Sequence, residues 1–567
     1  MATIVVRYDR SPVQRERLNL TALAHKRLML GLLLVVAISL IVIGRLTWMG
    51  LSNDGQGRLN YGLAGVPTRG DIVDRNGVPL ARNMDAYSIS IRPRRMIGDA
   101  NLLADSLHEV FPDTPRDIFY KKLTGGKWDY LRRRALPEEV AQVNALGEVG
   151  IEFPREKERL YPQRTLAAHV LGFVPVQHGD EWRGGMGVES AFNERLLDPA
   201  QRGKPLALSI DSRVQGALES ELYAAVKSQN ADGATGIVLD ANTGEVVAMA
   251  SFPVFNPNKI MGEARARRND VVQSRYELGS TFKPLAVAAA MDAGVVTSMA
   301  RRYDATEPLK VGRFRIKDDH PLGRWLNVPE TLIHSSNIVT ARIADEMGPE
   351  PMQKLYRALE FDKRPSIELK ERARTLWPER WGRATNMTVA YGHGIAVTPL
   401  HLASAYAALV NGGMWRPATL LRLREEDVPA GRRVFSASTS ARMRQLLRMI
   451  VMDGTGRNAD APGYRIGGKT GTAEKPKAGG YARRSLITTF AAAFPMDNPQ
   501  YVVLTMMDEP KGSKENPYAR SAAYTAAPIV KNLVNRVGPM LDIIPDQRRD
   551  VDISELTPLL SKEEGEQ

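Results

Sequence analysis

The chain has 567 residues, 43% hydrophobic and 25% charged, with no cysteine and a formal net charge of +13. That length calls for two or three domains rather than one core, and the missing cysteines exclude a disulfide framework, a thiolate metal site and a cysteine nucleophile. The basic residues fall in small scattered groups, such as Arg92, Arg94 and Arg95, Arg132 to Arg134 and Arg265 to Arg268, so solvated faces on a basic protein are a better reading than nucleic-acid binding. Attraction to an anionic membrane or cell-wall precursor lies between the two.

Leu28 to Gly44 is a nearly unbroken apolar run. With Leu46, Thr47, Trp48 and Met49 it reaches the roughly 20 residues that a spanning helix needs. Arg45 and Trp48 suit its interfacial end. Arg7, Arg10, Arg15, Arg17, Lys26 and Arg27 precede it, against only Asp9 and Glu16, which predicts a cytoplasmic tail at 1–27 and an external remainder. A cleaved signal peptide would have a shorter apolar core and a better small-residue cleavage site. A single-pass signal anchor at 28–49 is the expectation.

The segment 50–205 is rich in Arg and turn residues, with short strand-like runs such as Ala86 to Ile91. Asn76-Gly77, between Asp71–Arg75 and Val78–Ala81, marks a tight hairpin-type turn. Scattered acids such as Glu181 and Glu189 offer a glycosidase pair in principle, but their spacing does not favour one and surface acids are far commoner. A β-rich, non-catalytic spacer is expected.

From Leu206 the character changes. Asp211 reads as the N-cap of an amphipathic helix. Gly236–Leu239 and Glu245–Ala250 flank a turn at Asp240–Gly244, as a β-hairpin does. Ile487–Phe494 and Tyr501–Met507 form a second strand pair, and helical stretches include Thr398–Val410 and Ala522–Val537. Strands at both ends with helices between them predict an α+β domain at 206–545, an antiparallel sheet covered by helices. The polar segment 546–567 reads as a disordered tail.

Three motifs lie in order within that domain: Ser280-Thr281-Phe282-Lys283, Ser335-Ser336-Asn337 and Lys469-Thr470-Gly471-Thr472. Ser280 before an apolar stretch is by itself an ordinary helix N-cap. Read as chemistry, Lys283 three residues on shares a helix face with the Ser280 hydroxyl. A helix N-terminus favours negative charge there, and a lysine buried beneath it loses proton affinity and serves as a base. Ser335 and Asn337 read equally as a helix start. Their functional reading is a proton relay from Lys283 to the leaving group (Ser335) and a hydrogen bond to the substrate amide that also steadies the lysine (Asn337). Gly463 to Thr470 matches the phosphate-loop pattern literally, but its flanks suggest a strand and glycines would break any following helix. On an edge strand, Gly471 lets a peptide backbone approach closely, Lys469 supplies positive charge, and Thr470 and Thr472 supply hydroxyls for a terminal carboxylate.

Together the motifs resemble those of the class B penicillin-binding proteins, most closely the FtsI type. Arg69–Ala81 and Gly187–Glu189 resemble pedestal motifs of that family, and Glu277–Pro284 and Tyr391–Pro399 resemble stretches of its transpeptidase domain; Leu278 stands where the family commonly has Pro. The S-x-N triplet favours the division type over the elongation type. The resemblance implies a penicillin-binding transpeptidase domain on a dimerisation-type pedestal and a serine D-Ala-D-Ala transpeptidase acting on peptidoglycan stem peptides at the septum. It further implies an oxyanion hole from the backbone N–H groups of Ser280 and Thr472, β-lactams as inhibitors, and no metal or organic cofactor. Partners implied are an FtsW-type glycosyltransferase and other divisome membrane proteins. A β-lactamase is the main rival, but the E-x-x-L-N pattern for deacylation is missing between the second and third motifs. A sensor or scaffold without turnover is another, although a sensor needs more than a short cytoplasmic tail and a scaffold has no reason to keep all three motifs.

Overall fold

The computed structural model describes residues 12–51, 69–175, 183–260, 262–477, 480–513, 516 and 518–561. The expectations placed on Arg7, Asp9, Arg10, Glu181 and Lys562–Gln567, and on the side chains of Arg15, Arg17 and Trp48, fall outside them. One unit ends at Pro67 and a compact unit takes the rest.

The described residues of the first unit form one helix, α1 (Pro12–Leu51). Within it His25–Arg45 is long and apolar enough to cross a membrane. Leu28, Leu34 and Leu40 are all more than 60% exposed. A helix this apolar and this exposed fits a single-pass membrane anchor.

The compact unit opens with a mixed sheet. β1 (Ile72–Val73) turns through Gly77, at φ +83, into the long β2 (Pro79–Ile91). β2 pairs with β3 (Asp129–Ala135), β4 (Ile151–Glu152) and β5 (Arg155–Leu160). β1 pairs in parallel with β6 (Leu206–Ala207), so the strand at the expected domain boundary completes the pedestal sheet. The pedestal is less purely β than its turn-rich sequence suggests. Helices α2 (Ala100–Val110), α3 (Arg116–Thr124) and α4 (Pro137–Ala145) close over Ile89 and Ile91 with Leu103, Leu107, Phe119 and Val143.

Buried polar groups lock this pedestal. Glu189 is fully buried, takes 2.7 Å and 3.2 Å hydrogen bonds from Arg159 Nε and Tyr161 Oη, and pairs with Arg69. Burial pushes its pKa up, but Arg159 and Arg69 outweigh that and hold it below the usual carboxylate range. The glycosidase option for Glu189 therefore fails: the carboxylate is committed to two guanidiniums. Asp74 accepts the N–H groups of Asn76 and Val78 at 2.8 Å and the Ser212 hydroxyl at 2.7 Å. It thereby ties the first hairpin to the start of α5 (Ser212–Gln229), where Asp211 is the N-cap.

The second part is an antiparallel sheet covered by helices, as expected. Its strands are β7 (Gly233–Asp240), β8 (Val246–Phe252), β9 (Gly467–Lys477), β10 (Gly480–Phe494) and β11 (Tyr501–Asp508), in the order β9-β10-β11-β7-β8. β7 and β8 are buried along nearly their whole length, which is why they read as continuous apolar runs rather than as alternation. On one face α5 and the last helix, Ala526–Val537, bury Leu218, Leu222, Val530 and Leu533 against Val238, Phe490 and Val503. The other face carries the helix Pro399–Val410.

The C-terminal expectation needs correction. Residues 546–561 run along the domain surface instead of trailing off. Leu556 is 1% exposed, the Arg448 guanidinium meets Asp550 at 2.8 Å, and Asn327 Nδ2 donates to the Leu559 carbonyl at 2.6 Å. Spaced apolar residues (Val551, Ile553, Leu556, Leu559, Leu560) inside a polar stretch supply the anchor.

Candidate active site

The nucleophile motif begins as a 3-10 turn, Gly279–Phe282, that continues into the α-helix Lys283–Asp292. Ser280 is no side-chain N-cap here. In a 3-10 turn residues three apart eclipse, which sets Ser280 and Lys283 on one side. Pro284 falls in the helix's first turn, where a missing N–H costs nothing. Behind the motif the Tyr406 hydroxyl donates to the Thr281 carbonyl at 2.8 Å. Ser280 stays half-buried while Lys283 is 0% exposed.

The second motif divides its labour. Ser336 is the N-cap of the helix Asn337–Met347, its hydroxyl accepting from Val339 N at 3.1 Å. Ser335, one residue earlier, is held at φ +61. That left-handed conformation is costly for a residue with a Cβ, and it presents the hydroxyl to two amines. Lys283 Nζ lies 3.1 Å from Ser335 Oγ and also donates to the Ser335 carbonyl, and Lys469 Nζ lies 2.9 Å from the same Oγ. The helix start thus falls on Ser336, and Ser335, the residue of the relay reading, stands between the two amines. Asn337 departs from expectation: its Nδ2 donates to the Lys317 carbonyl at 2.9 Å, and it makes no hydrogen bond to either lysine.

The third motif lies on β9, the edge strand of the sheet, which disposes of the phosphate-loop match. Gly471 is required, though for a different reason from the one expected. A Cβ there would sit 2.5 Å from the Leu278 carbonyl oxygen and 2.8 Å from Thr281 Cγ2. The close approach is to the chain's own nucleophile turn. Gly279 likewise lies against the Thr472 carbonyl, which a Cβ would meet at 3.2 Å. The first and third motifs therefore touch through glycines. The Thr470 hydroxyl pairs with that of Thr455 at 2.7 Å, and the half-buried Thr472 hydroxyl accepts from Ala522 N at 3.1 Å.

Among the described residues neither lysine amine has a carboxylate in contact. Burial pushes Lys283 down to about 7, against the opposing pull of Asp318 and Asp319. Lys469 is driven well below its ordinary value by burial and then by repulsion from Lys283, with Asp319 opposing. Two amines sharing one hydroxyl in a low-dielectric pocket cannot comfortably both be charged, so they titrate as a pair. Asp318 is the residue the sequence reading missed. Its carboxylate accepts from Asn337 N at 2.5 Å, Ile338 N at 2.9 Å and Ser336 Oγ at 2.8 Å, fastening the second motif. It lies 18 residues before Ser336 in a loop with no periodic pattern.

What the arrangement offers is a half-exposed serine on a helix-initiating turn, a half-exposed relay hydroxyl, and two sealed amines poised to exchange a proton. This is the equipment of nucleophilic acyl transfer.

Comparison with known proteins agrees. Residues 64–197 match the penicillin-binding protein dimerisation domain and residues 234–535 the penicillin-binding protein transpeptidase domain. The chain is 38% identical to a probable peptidoglycan D,D-transpeptidase FtsI of Caulobacter vibrioides, covering 88% of this chain and 85% of that one. It is 30% identical to the peptidoglycan D,D-transpeptidase FtsI of Escherichia coli, covering 84% of each. Stage V sporulation protein D of Bacillus subtilis is also 30% identical, covering 92% and 86%. Penicillin-binding protein 3 of Mycobacterium tuberculosis, solved with aztreonam, shares the fold with a TM-score of 0.65 at 24% identity, covering 86% of this chain and 98% of that one. The chain belongs to the class B penicillin-binding proteins, with a dimerisation domain leading into the transpeptidase domain that carries the serine and its two lysines.

Proposed function

We propose that this chain is a membrane-anchored peptidoglycan D,D-transpeptidase that cross-links stem peptides at the division septum. The observation that carries the reading is the Ser335 hydroxyl held within 3.1 Å of both buried amines beside the Ser280 turn. Ser280 attacks the penultimate D-Ala carbonyl while Lys283 takes its proton. The proton passes by way of Ser335 to the leaving D-Ala nitrogen. Backbone N–H groups of Ser280 and Thr472 form the oxyanion hole. An amine of a second stem peptide then displaces Ser280.

The shared hydroxyl suggests how the proton is removed. The donor ends in a carboxylate, which the Thr470–Thr472 edge of β9 receives. Lys469 is sealed from solvent, so it acts on that carboxylate through its field and the neighbouring hydroxyls. An arriving anion makes charge on Lys469 favourable, and repulsion between the amines then strips Lys283 of its proton. The base is made ready by substrate.

Mass spectrometry after incubation with a β-lactam tests the class: a stable adduct on Ser280, absent in Ser280→Ala, is expected, and rapid turnover of the β-lactam would instead favour a hydrolase. The septal role rests on likeness to the FtsI proteins and on the S-x-N triplet. Depletion should give filaments; swollen rods would point to elongation. In this reading α1 anchors the chain with its N-terminus in the cytoplasm, and an FtsW-type polymerase supplies the glycan strands.

A further inference from the structure

The Thr470 hydroxyl is shared inside the protein. Lys469 Nζ lies 3.4 Å from it, with its other contacts at Ser335 Oγ (2.9 Å) and the Thr470 carbonyl (3.3 Å). Thr455 Oγ1 is closer, at 2.7 Å from the same hydroxyl. Thr455 is half-buried, whereas Thr470 and Lys469 are buried. It stands in the turn that follows the helix Ala437–Asp453. A Cβ on the neighbouring Gly454 would sit 2.8 Å from the Ile333 carbonyl oxygen, two residues before Ser335. One turn therefore touches both the backbone leading into the second motif and the hydroxyl of the third.

A bond that merely fastens the turn is the plain alternative, but the turn is fastened without it. Gly454 N and Gly456 N both donate to the Ile450 carbonyl at 3.1 Å, and Ala459 N donates to the Gly456 carbonyl at 2.9 Å. Counting protons shows what the Thr455 hydroxyl adds. A hydroxyl has one proton and two lone pairs, and a carboxylate can only accept. Thr470 can therefore hold a carboxylate only through its proton. A charged Lys469 has three N–H donors for the three oxygens around it, and one of them fills a lone pair of Thr470. If Thr455 donates, the second lone pair is filled and the Thr470 proton is left for the substrate. If Thr455 accepted, that proton would be spent inside the protein.

We propose that Thr455 is a positioning residue for the donor's terminal carboxylate, its hydroxyl donating to Thr470 and so turning the Thr470 proton towards that group. This rests on the reading of the β9 edge as the carboxylate site. Thr455 touches no reacting atom; it acts through Thr470.

The test acylates the full-length chain in detergent with two N-benzoyl-D-alanyl thioesters, one of mercaptoacetate and one of mercaptoacetamide, which differ only in the carboxylate. The chain has no cysteine, so a thiol reagent reads the released thiol alone. In Thr455→Val the rate with the mercaptoacetate thioester should fall about fivefold, the worth of one ordinary hydrogen bond. The mercaptoacetamide rate should hold, and Thr455→Ser should restore the preference. A parental mercaptoacetate rate in Thr455→Val overturns the proposal. Equal losses on both thioesters also overturn it, since they would mark a structural role for the turn. A parent chain that acylates equally well with both would overturn the β9 carboxylate site itself, and this proposal with it.

Discussion

The pedestal and the transpeptidase domain each bury charge completely, and they do so in opposite ways. The pedestal sets one anion, Glu189, between two guanidiniums with a tyrosine hydroxyl completing the shell. The catalytic domain sets two cations-to-be, Lys283 and Lys469, against one neutral hydroxyl. In the first case Coulomb attraction and hydrogen bonds repay desolvation, and the protonation state is fixed. In the second the distant pull of Asp318 and Asp319 does not offset it, so the cheapest response is to lose a proton. Satisfied burial makes a rivet. Unsatisfied burial makes an amine that gives up its proton readily.

The comparison breaks first at Lys283. Lys283→Arg keeps a cation that cannot be deprotonated near neutral pH, so acylation by a fluorescent penicillin should fall on the order of a thousandfold, within the range for a lost general base. Lys469→Arg should lose less. A near-parental Lys283→Arg beside a dead Lys469→Arg would move the base to the other lysine. In the pedestal, Glu189→Ala takes from two buried guanidiniums the carboxylate they share. It should cost about 3–5 kcal/mol of unfolding free energy, read by denaturant titration of the 69–561 region within the whole chain. Parental stability there would mean that the rivet is ornamental.

Stability should respond with the opposite sign at the lysine. Lys283 has an ordinary value of 10.5 and a folded value of about 7, so between those limits the unfolded chain binds more protons and parental stability rises with pH. Lys283→Met should flatten that rise and raise the melting temperature near neutrality, a gain won at the expense of activity.

The sequence exposed the residues that meet at the site better than the groups that support them. Ser280, Lys283, Ser335 and Lys469 were legible because helix-start and strand signals constrain short spacings. Asp318 was not, because its partners lie across a loop without periodicity. Gly471 was legible as a close approach, yet which backbone approached depended on the packing of Leu278 and Thr281 against β9. The strand pairs around Asp240–Gly244 and Pro495–Pro499 were plain from turn residues; their union into one sheet through β11 and β7 was not. The 546–561 segment was misread because a polar average hid five spaced apolar anchors.

That segment gives a smaller test. Ending the chain at Pro545 removes Leu556 from the core and unpairs Arg448 from Asp550, which should cost about 2 kcal/mol, the scale of one buried leucine. Unfolding at the parental denaturant midpoint would restore the disordered-tail reading. Lys469→Ala belongs to the same range, about 2 kcal/mol in the activation free energy of acylation.

The smallest effect is the pH profile. If the neutral amine of Lys283 is the base, acylation in the parent should rise as pH climbs through about 7 and level off above it. Each unit below that midpoint should slow the reaction about tenfold. In the resting chain the repulsion falls on Lys469, so it is once substrate has charged Lys469 that removing it should shift Lys283. In Lys469→Ala the Lys283 proton is held more tightly, and the midpoint should move up, never down. Lys469→Arg places a permanent cation near the pocket and should move it down. The pair of opposite shifts, read from acylation rates between about pH 5 and 9 with each variant shown to be folded, depends only on shared burial around Ser335. A midpoint indifferent to residue 469 would mean that the lysines titrate alone and that the base is not made ready by substrate.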